Sequence, residues 1–317
     1  MMTCALIVLN YNGCHLLERC LPSVVRAAAA AGPGHEVVVL DNGSTDGSLD
    51  WVRHHWPQVT CVRAAANRFL VSYNEYLVCC PHRLVMLLNN DVALAPDCLP
   101  PLLRHFADPT VFAVAPLVWN EPGHTVETGR TRLRFAQGRF RYYRVDIVPG
   151  LTATASTSAG MFDREKLLAV GGFDELLLPM YGEEMDLTLS AYRRGWVVRY
   201  EPAAVAHHLG GASINTVTTR NRRRVSLVKN RHLSMIKHVH SRWRLLVYAG
   251  WLLALLPVRL LTGDRAFFVG SWMAWQQRRP ALRQRRAEQR AAVLADADLF
   301  RMLAALPSDR ETHEQSQ

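Results

Sequence analysis

The chain has 317 residues, of which 37 are Lys or Arg and 27 are Asp or Glu, giving a formal net charge of +10. Hydrophobic residues make up 49% of it, which excludes an intrinsically disordered protein because such chains are poor in apolar residues. The charge is localised: residues 202–263 contain ten Lys and Arg but no Asp or Glu, whereas residues 1–201 are nearly neutral. This distribution predicts an anionic partner for one segment rather than a generally basic protein.

The first 120 residues predict buried strands that alternate with helices. Apolar runs predict strands at Cys4–Leu9, Glu36–Leu40, Val59–Arg63, Arg83–Leu88 and Phe112–Leu117. Periodic apolar positions predict helices at His15–Ala31, Ser48–His55 and Leu99–Ala107. This alternation is typical of an α/β fold with a mostly parallel central sheet and helices on both faces.

Polar residues follow three of the predicted strands, at positions 10–12, 41–46 and 89–91. Ligands of such sheets bind beyond the carboxyl ends of the strands, so these clusters predict one shared site. Asp91 is its sharpest candidate, because hard divalent cations bind one or two carboxylates together with substrate phosphates. The alternative interpretation is a strand-end turn, where Asn and Asp are common.

The rest of the chain changes character. Residues 125–150 combine six arginines with aromatic residues and predict an irregular or hairpin insertion. A basic helical region follows, and then two apolar stretches at Leu245–Val258 and Ala266–Trp275. The tail after about residue 280 is rich in Arg and Ala, and we expect a helix there with a disordered end.

The cysteines and the N-terminus bear on the compartment. Seven cysteines, an odd number without a C-x-x-C pair, predict free thiols in a reducing environment rather than a zinc site or a disulfide framework. The N-terminus has neither a basic segment nor a long apolar one, so we expect no signal peptide and a body that stays in the cytoplasm.

Seven motifs occur in an order that resembles glycosyltransferase family 2, in particular its rhamnosyltransferase-like members. The motifs are LIVLNYN, VVVLDNGSTDGS, LLNNDV, TSAGMFDRE, GGFDE, EEMDL and HHLGGAS. The resemblance covers roughly residues 3–240 and implies a GT-A type nucleotide-sugar-binding fold. It implies a GT-A domain over 1–215, with donor binding in 1–118 and the acceptor side in 119–215. A basic and apolar helical membrane-associated region would follow over 216–280, and the tail over 281–317.

The resemblance also implies where a nucleotide-sugar donor binds. Leu9, Asn10 and Tyr11 would line the base pocket, and Asp41 would accept a hydrogen bond from N3–H of uracil or thymine. That role is chemically sound because an ionised carboxylate only accepts hydrogen bonds. The alternative interpretation of DNGSTDGS is a turn followed by a helix cap. The other positions that match donor-binding positions are Asn67, Asn74, Asn89, Asn90, Gly160 and Arg194.

The same resemblance implies a divalent metal, Mg²⁺ or Mn²⁺. Asp91 would be one ligand and His208 the second, the latter in an H-x-x-G-x-S spacing with Gly211 and Ser213. Imidazole suits Mn²⁺ better than Mg²⁺. His207 is adjacent to His208 and is an alternative ligand.

The acidic motif GEEMDL resembles the family's acceptor-site motif, which implies Glu184 as the general base. The family usually has Asp at that position, and the extra methylene of Glu moves the carboxylate by about a bond length, enough to affect rate. Glu183 and Asp186 are alternative bases or hydrogen-bond supports. The competing interpretation is that these acids complement a helix macrodipole.

Residues 67–77 depart from the family pattern. The asparagines Asn67 and Asn74 remain, but the family's glycines are absent, with Phe69, Val71 and Leu77 present instead. Those glycines permit a close approach of backbone to donor. The departure motivates an alternative function, a catalytically impaired membrane-associated homologue that acts as a nucleotide-binding or assembly partner.

The C-terminal half predicts contact with a membrane surface. Leu245–Val258 is shorter than the ~20 apolar residues of a spanning helix. Its flanking tryptophans and the basic block at 220–244 favour an interfacial anchor on an anionic leaflet. A buried helical pair is the alternative. The RNRRR cluster at 220–224 has no accompanying nucleic-acid-binding fold signature, so we expect no nucleic-acid partner.

The resemblance to glycosyltransferase family 2 implies an inverting hexosyltransferase with a dTDP- or UDP-sugar as donor and rhamnose as one candidate sugar. The acceptor would be a hydroxyl of a lipid-linked or polysaccharide molecule, as in cell-envelope polysaccharide biosynthesis. We expect the protein at the inner face of the plasma membrane, peripherally attached. The sequence leaves the oligomeric state open.

Overall fold

A large mixed sheet lies at the centre of the computed structural model, which describes residues 2–121, 124–136, 138–210 and 219–307. In chain order the strands of these ranges are β1 Cys4–Asn10, β2 Glu36–Asp41, β3 Thr60–Arg63, β4 Leu84–Asn89, β5 Val92–Leu94, β6 Val111–Asn120, β7 Thr125–Thr128, β8 Arg130–Ala136, β9 Arg139–Asp146, β10 Gly150–Leu151, β11 Met161–Asp163 and β12 Val197–His208. Those of the central sheet follow the order β10-β12-β6-β11-β4-β1-β2-β3, with β5 on β12 and β7 on β6.

The predicted fold class is confirmed. Strand β1 pairs in parallel with β2 and β4, β2 with β3, and β6 with β12, while the short β11 runs antiparallel between β4 and β6. The helices of the described ranges are α1 Cys14–Ala30, α2 Ser48–His55, α3 Tyr73–Leu77, α4 Leu99–His105, α5 Arg164–Ala169, α6 Glu183–Arg193, α7 Arg220–His238, α8 Arg242–Leu261, α9 Arg265–Gln276, α10 Arg278–Ala291 and α11 Asp296–Ala304.

The continuous apolar runs of the parallel strands follow from burial on both faces of the sheet. Along β1, Leu6 and Val8 enter the core that contains α1, whereas Ala5 and Ile7 enter the core on the opposite face. All four are at most 2% exposed. This packing holds the carboxyl ends of β1, β2 and β4 at one edge, where the predicted polar clusters lie.

The predicted insertion at 125–150 contains the antiparallel hairpin β8–β9. Side chains of this hairpin pack on the C-terminal helices. Phe135 stacks on Phe300 of α11, and the guanidinium of Arg139 lies over the Trp251 ring of α8. The insertion thus connects the sheet domain to the helical region. The boundary predicted at 215 and the disordered end predicted for the tail lie outside the described residues.

Helix α8 is longer than its apolar core suggested. The sequence marked Leu245–Val258 as too short to span a membrane, but the helix extends over 20 residues. In length and composition it is sufficient to cross a bilayer. The additional residues at the two ends include Arg242, Arg244 and Arg259, which lie outside the uncharged run.

Candidate active site

The polar clusters at the ends of β1, β2 and β4 meet in one buried network. The amide of Asn10 donates to Oδ1 of Asp41 at 3.1 Å and to Oγ of Ser44 at 3.2 Å. The amide of Asn90 donates to Oδ1 of Asn10 at 2.8 Å. Gly13 makes this possible, because a Cβ there would lie 2.1 Å from the Asn90 amide nitrogen.

Asp41 is occupied by the protein itself. Its Oδ1 accepts from Asn10 and from the hydroxyl of Ser44, and its Oδ2 accepts from the backbone N–H groups of Gly43 and Ser44. These bonds use the roughly four lone-pair sites of a carboxylate, and the residue is 0% exposed. Asp41 therefore organises the loop, and its contact with a pyrimidine base stays a prediction.

A cavity of about 270 Å³ opens beside this network. It collects seven of the residues predicted from sequence, namely Leu9, Asn10, Tyr11, Asn67, Asn89, Asn90 and Glu183. The remaining wall is largely apolar and comes from Phe69, Leu70, Pro179, Met180 and Tyr181, with Asn42 and Thr157. The cavity is thus a slot bounded by polar strand ends on one side and by the loop before α6 on another.

Asn42 is a cavity residue that sequence reasoning missed. It follows Asp41 directly and is 3% exposed. Its Nδ2 donates to the carbonyl of Phe69 at 3.2 Å, whereas its Oδ1 has no hydrogen-bond partner among the described residues. A buried amide oxygen without a partner is costly, so a ligand N–H that reached it would be favoured.

The segment that departs from the family pattern forms part of the cavity wall. Phe69 has a φ of 52°, and its backbone N–H is held by Oδ1 of Asn67 at 3.1 Å. The side chain of Asn74 points away, with Nδ2 donating to the carbonyl of Phe173 and Oδ1 accepting from its N–H. Asn74 therefore connects two loops and is not among the residues that line the cavity, and its donor contact stays a prediction.

Asp91 and His208 lie together, as the resemblance implied. Strand β5 pairs antiparallel with β12, which places Val92 opposite His208. Nε2 of His208 lies 3.0 Å from Oδ1 of Asp91, and Nδ1 lies 2.6 Å from Oε2 of Glu127. Burial disfavours the charged ring, but hydrogen bonds and charges from both carboxylates outweigh it and raise the pKa of His208 to about 10. Gly211 and Ser213 lie outside the described residues.

A cation that binds Nε2 of His208 displaces the proton from that nitrogen, and the pair then fits a divalent cation as two of its ligands. Adjacent ligands around an octahedral ion with bonds of ~2.1 Å are about 3 Å apart, close to the separation of the Asp91 oxygen and the His208 nitrogen. In the part of the chain that the structure describes, no group of three or more His, Cys, Asp or Glu side chains could hold a metal. The other ligands would be water and donor phosphates, as is usual for Mg²⁺.

Two carboxyl groups stand at the start of α6 near the cavity. Burial, together with the charge of Glu184, raises the pKa of Glu183 to about 7, and Glu183 lines the cavity. Glu184 accepts at Oε1 from the backbone N–H of Thr157 at 2.8 Å, and burial raises its pKa above the ordinary value. The pKa of Glu183, about 7, suits a general base near neutral pH, and the pKa of Glu184 is shifted in the same direction.

Asp186 is bound by two side chains of α7. Its carboxylate receives Nζ of Lys237 at 2.8 Å and lies 2.7 Å from Nε2 of His238, and it is 3% exposed. Burial alone would raise its pKa, but the Lys237 ammonium and His238 hold that pKa well below its usual range. These contacts favour the role of hydrogen-bond support for Asp186 over that of a base.

Arg194 and Gly160 are both explained by contacts within the chain. Arg194 forms a two-point ion pair with Glu288 of α10, with distances of 2.7 and 3.0 Å, and does not line the cavity. A Cβ on Gly160 would lie 2.3 Å from the carbonyl oxygens of Ala155 and Ser156. Its own chain therefore requires a glycine at this position, and a contact with the donor sugar stays a prediction.

Helix α7 holds the loop that precedes α6. The buried side chain of Asn230 donates to the carbonyls of Leu177, Met180 and Tyr181. Lys229 donates to those of Leu176 and Leu178. Tyr181, a cavity residue, has a φ of 78°, a strained conformation that must be held by its surroundings. Lys229 and Asn230 therefore shape one cavity wall from outside it.

Known proteins resemble this chain in sequence and in fold. Residues 5–171 match the family described as glycosyl transferase family 2. A pre-mycofactocin glycosyltransferase of Mycobacterium tuberculosis (strain ATCC 25618 / H37Rv) is 29% identical over 178 residues, which are 55% of this chain and 37% of that protein. The chain thus spans little more than a third of the length of the curated relatives it matches.

Three solved structures share the fold. Staphylococcus aureus TarS 1–349 in complex with UDP-GlcNAc has a TM-score of 0.58 at 16% identity, covering 100% of this chain and 93% of that one. GalNAc-T7 with UDP, GalNAc and Mn²⁺ has a TM-score of 0.58 at 17% identity, covering 75% and 48%. A Pyrobaculum calidifontis mannosyltransferase in complex with GDP-Man and Mn²⁺ has a TM-score of 0.50 at 19% identity, covering 91% and 85%.

Proposed function

This chain belongs to glycosyl transferase family 2, and we propose from that premise that it transfers a sugar from a nucleoside-diphosphate sugar to a hydroxyl acceptor. One observation carries the proposal. The cavity at the carboxyl ends of β1 and β4 is bounded by Glu183, and Thr157 in its wall holds the neighbouring Glu184. A donor in this slot would have a base within reach of its acceptor side.

The proposed reaction is a single displacement with inversion. Glu184 takes the proton of the acceptor hydroxyl, and the oxygen attacks the anomeric carbon. The new glycosidic bond forms as the bond from that carbon to the diphosphate oxygen breaks, and the nucleoside diphosphate leaves with its electron pair. Thr157 holds Oε1 of Glu184 through its backbone N–H, which fixes the orientation of the carboxylate.

A divalent cation, Mg²⁺ or Mn²⁺, would stabilise the negative charge of the departing diphosphate as a Lewis acid. Asp91 and His208 are the residues that would hold it. Two of the structurally similar proteins were solved with Mn²⁺, which supports a metal here without choosing between the two ions.

The donor is proposed from the cavity and from the relatives. Tyr11 and Leu9 offer apolar contact to a base, and Oδ1 of Asn42 can accept an N–H at its edge. The similar structures contain UDP-GlcNAc, UDP with GalNAc, or GDP-Man. We retain a UDP- or dTDP-sugar as the donor, with rhamnose as one candidate sugar.

The acceptor is proposed to be lipid-linked or a polysaccharide, and the protein to lie peripherally on the inner face of the plasma membrane. Helix α8 exposes Trp243, Leu253 and Leu261 strongly to solvent. Its other side contacts the body of the protein, where Tyr248 is buried and lies against Gly138. A helix attached along one side to a folded domain favours interfacial contact over crossing the bilayer.

A second candidate function rests on the wall formed by Phe69 and Leu70. Phe69 lines the cavity beside Asn67, where the family pattern has a glycine, and Leu70 lines it next to Phe69. They favour a homologue that binds nucleotide but transfers sugar poorly, in the role of a membrane-associated assembly partner.

A donor panel separates the two functions. The purified chain is incubated with UDP-, dTDP- and GDP-sugars, Mg²⁺ or Mn²⁺, and a membrane lipid extract as acceptor source, and nucleoside diphosphate release is measured. Transferase activity predicts release with one donor and its loss in Asp91→Ala and Glu184→Gln. Full turnover in both variants contradicts the site, and nucleotide binding without release across the panel supports the second function.

A further inference from the structure

Two adjacent histidines end β12, and each meets its own glutamate. Nδ1 of His207 lies 2.5 Å from Oε1 of Glu121, and Nδ1 of His208 lies 2.6 Å from Oε2 of Glu127. Successive strand residues point to opposite faces, so the two pairs stand on different sides of the sheet. Only His208 of the two also contacts Asp91, through its other ring nitrogen.

The backbone around Glu127 is specialised. In the pairing of β7 with β6, Val118 lies opposite Thr128 and Trp119 opposite Val126, so Glu127 is the extra residue of a β-bulge. A bulge re-aims a side chain out of the regular alternation and is frequent next to active sites. Here it brings the Glu127 carboxylate to Nδ1 of His208.

We propose that Glu127 is a positioning residue that holds His208 in the orientation and tautomer needed to bind a divalent cation through Nε2. The inference rests on the proposed function, because it takes Asp91 and His208 as the metal-holding pair. A carboxylate that accepts from one ring N–H leaves the other nitrogen to face the ion and makes it a better ligand. Glu127 does not itself need to touch the metal, since its contact is with Nδ1.

The neighbouring pair supplies a matched control. His207 and Glu121 have the same atoms in contact at a similar distance, but both side chains are 39% exposed and His207 does not reach Asp91. The His208 side chain is only 15% exposed. If any carboxylate near a histidine sufficed, the two glutamates would respond alike to substitution.

The test measures Mn²⁺ binding by electron paramagnetic resonance, with Mn²⁺ alone and with Mn²⁺ plus UDP, and without turnover. Glu127→Ala is expected to weaken Mn²⁺ binding about 10- to 100-fold, the usual cost of losing such a partner. Glu127→Gln keeps an oxygen that accepts from Nδ1–H and is expected to fall between Ala and the parent. Glu121→Ala is expected to change binding less than twofold, and its thermal midpoint serves as the folding reference.

Each outcome decides the inference. The inference is overturned if Glu127→Ala melts like Glu121→Ala and binds Mn²⁺ as tightly as the parent. The assignment of the metal site to Asp91 and His208 is not affected by that result. Equal losses in both variants also overturn it, because the effect would then be general surface charge. A parent protein that binds no Mn²⁺ with or without UDP overturns the metal assignment and this inference together.

Discussion

Lys237 of α7 lies 2.8 Å from the carboxylate of Asp186 on α6, the helix whose first turn carries both candidate bases. Lys237 also reaches Asp174 at 3.1 Å, and the side chains of all three residues are at most 8% exposed. The C-terminal helical region is therefore bonded to α6 through buried charges. It helps to hold the helix that carries the two candidate bases.

Asp186→Asn is expected to destabilise the protein by about 3–5 kcal/mol, because it leaves buried Lys237 and His238 without their main countercharge. Urea unfolding measures the change. The control is Asp298→Asn, since Asp298 pairs with Arg301 on the surface and such pairs contribute about 0–1 kcal/mol. Equal losses in the two variants would contradict a structural role for Asp186.

Acid stability should report the same carboxylate. The pKa of Asp186 is held below its usual range in the folded state, so its contribution is present above the unfolded value of about 3.9 and is lost as pH falls through the lower folded value. Below about pH 4, the parent should therefore lose stability more steeply than Asp186→Asn. Parallel curves of unfolding free energy against pH would refute this linkage.

The rates of the two Gln variants identify which glutamate at the start of α6 is the base. If Glu184 is the base, Glu184→Gln lowers kcat by about 10²–10⁴-fold and Glu183→Gln lowers it less than tenfold. If Glu183 is the base, the effects are reversed, and the parent rate rises with pH through an apparent pKa near 7 because only the ionised carboxylate accepts the proton. Single-turnover rates from pH 5 to 9 measure both. A larger loss of kcat in Glu183→Gln than in Glu184→Gln would reassign the base to Glu183.

The sequence was sufficient for features set by short-range pattern. Polar residues follow directly after the apolar runs of β1, β2 and β4. Parallel pairing of these strands is enough to bring Asn10, Asp41 and Asn90 together. The sequence was insufficient where a side chain binds a partner that is distant along the chain. Glu288 lies 94 residues beyond Arg194, and no local spacing predicts that ion pair.

The same limit explains the other differences. A family motif marks Asn74 as polar and near the donor, but its hydrogen-bond partner is the backbone of Phe173, 99 residues away. Asp41 lies at the predicted strand end, but it accepts three hydrogen bonds from its own turn. Its neighbour Asn42 lines the cavity instead. The bulge that directs Glu127 depends on pairing between β6 and β7 and has no signature in composition.

Arg194→Met is expected to leave nucleotide affinity unchanged within about twofold, because the guanidinium is paired with Glu288 away from the cavity. Its cost should be in stability, since Glu288 is 4% exposed and would be left as an unpaired buried charge. Calorimetric titration with UDP and Mn²⁺ checks the first statement and urea unfolding the second. A large loss of nucleotide affinity in a stable variant would restore a diphosphate contact for Arg194.

Membrane attachment through α8 should depend on its exposed leucines. Leu253 and Leu260 are 67% and 66% exposed, and burying each in a bilayer interface contributes about 1.5–3 kcal/mol. Leu253→Asp with Leu260→Asp should therefore release the protein from vesicles of phosphatidylcholine and phosphatidylglycerol in a flotation assay. Val78→Asp is the control, because Val78 is 69% exposed but lies beyond α3 in the sheet domain.

Salt separates charge from insertion in the same assay. Attraction of the basic segment to anionic lipid is screened within about 3 Å at 1 M salt, whereas apolar contact is not screened. We expect 1 M NaCl to weaken binding of the parent but not to abolish it, because the leucines of α8 remain inserted. Complete release by salt, or unchanged flotation of the double variant, would contradict an apolar anchor on α8.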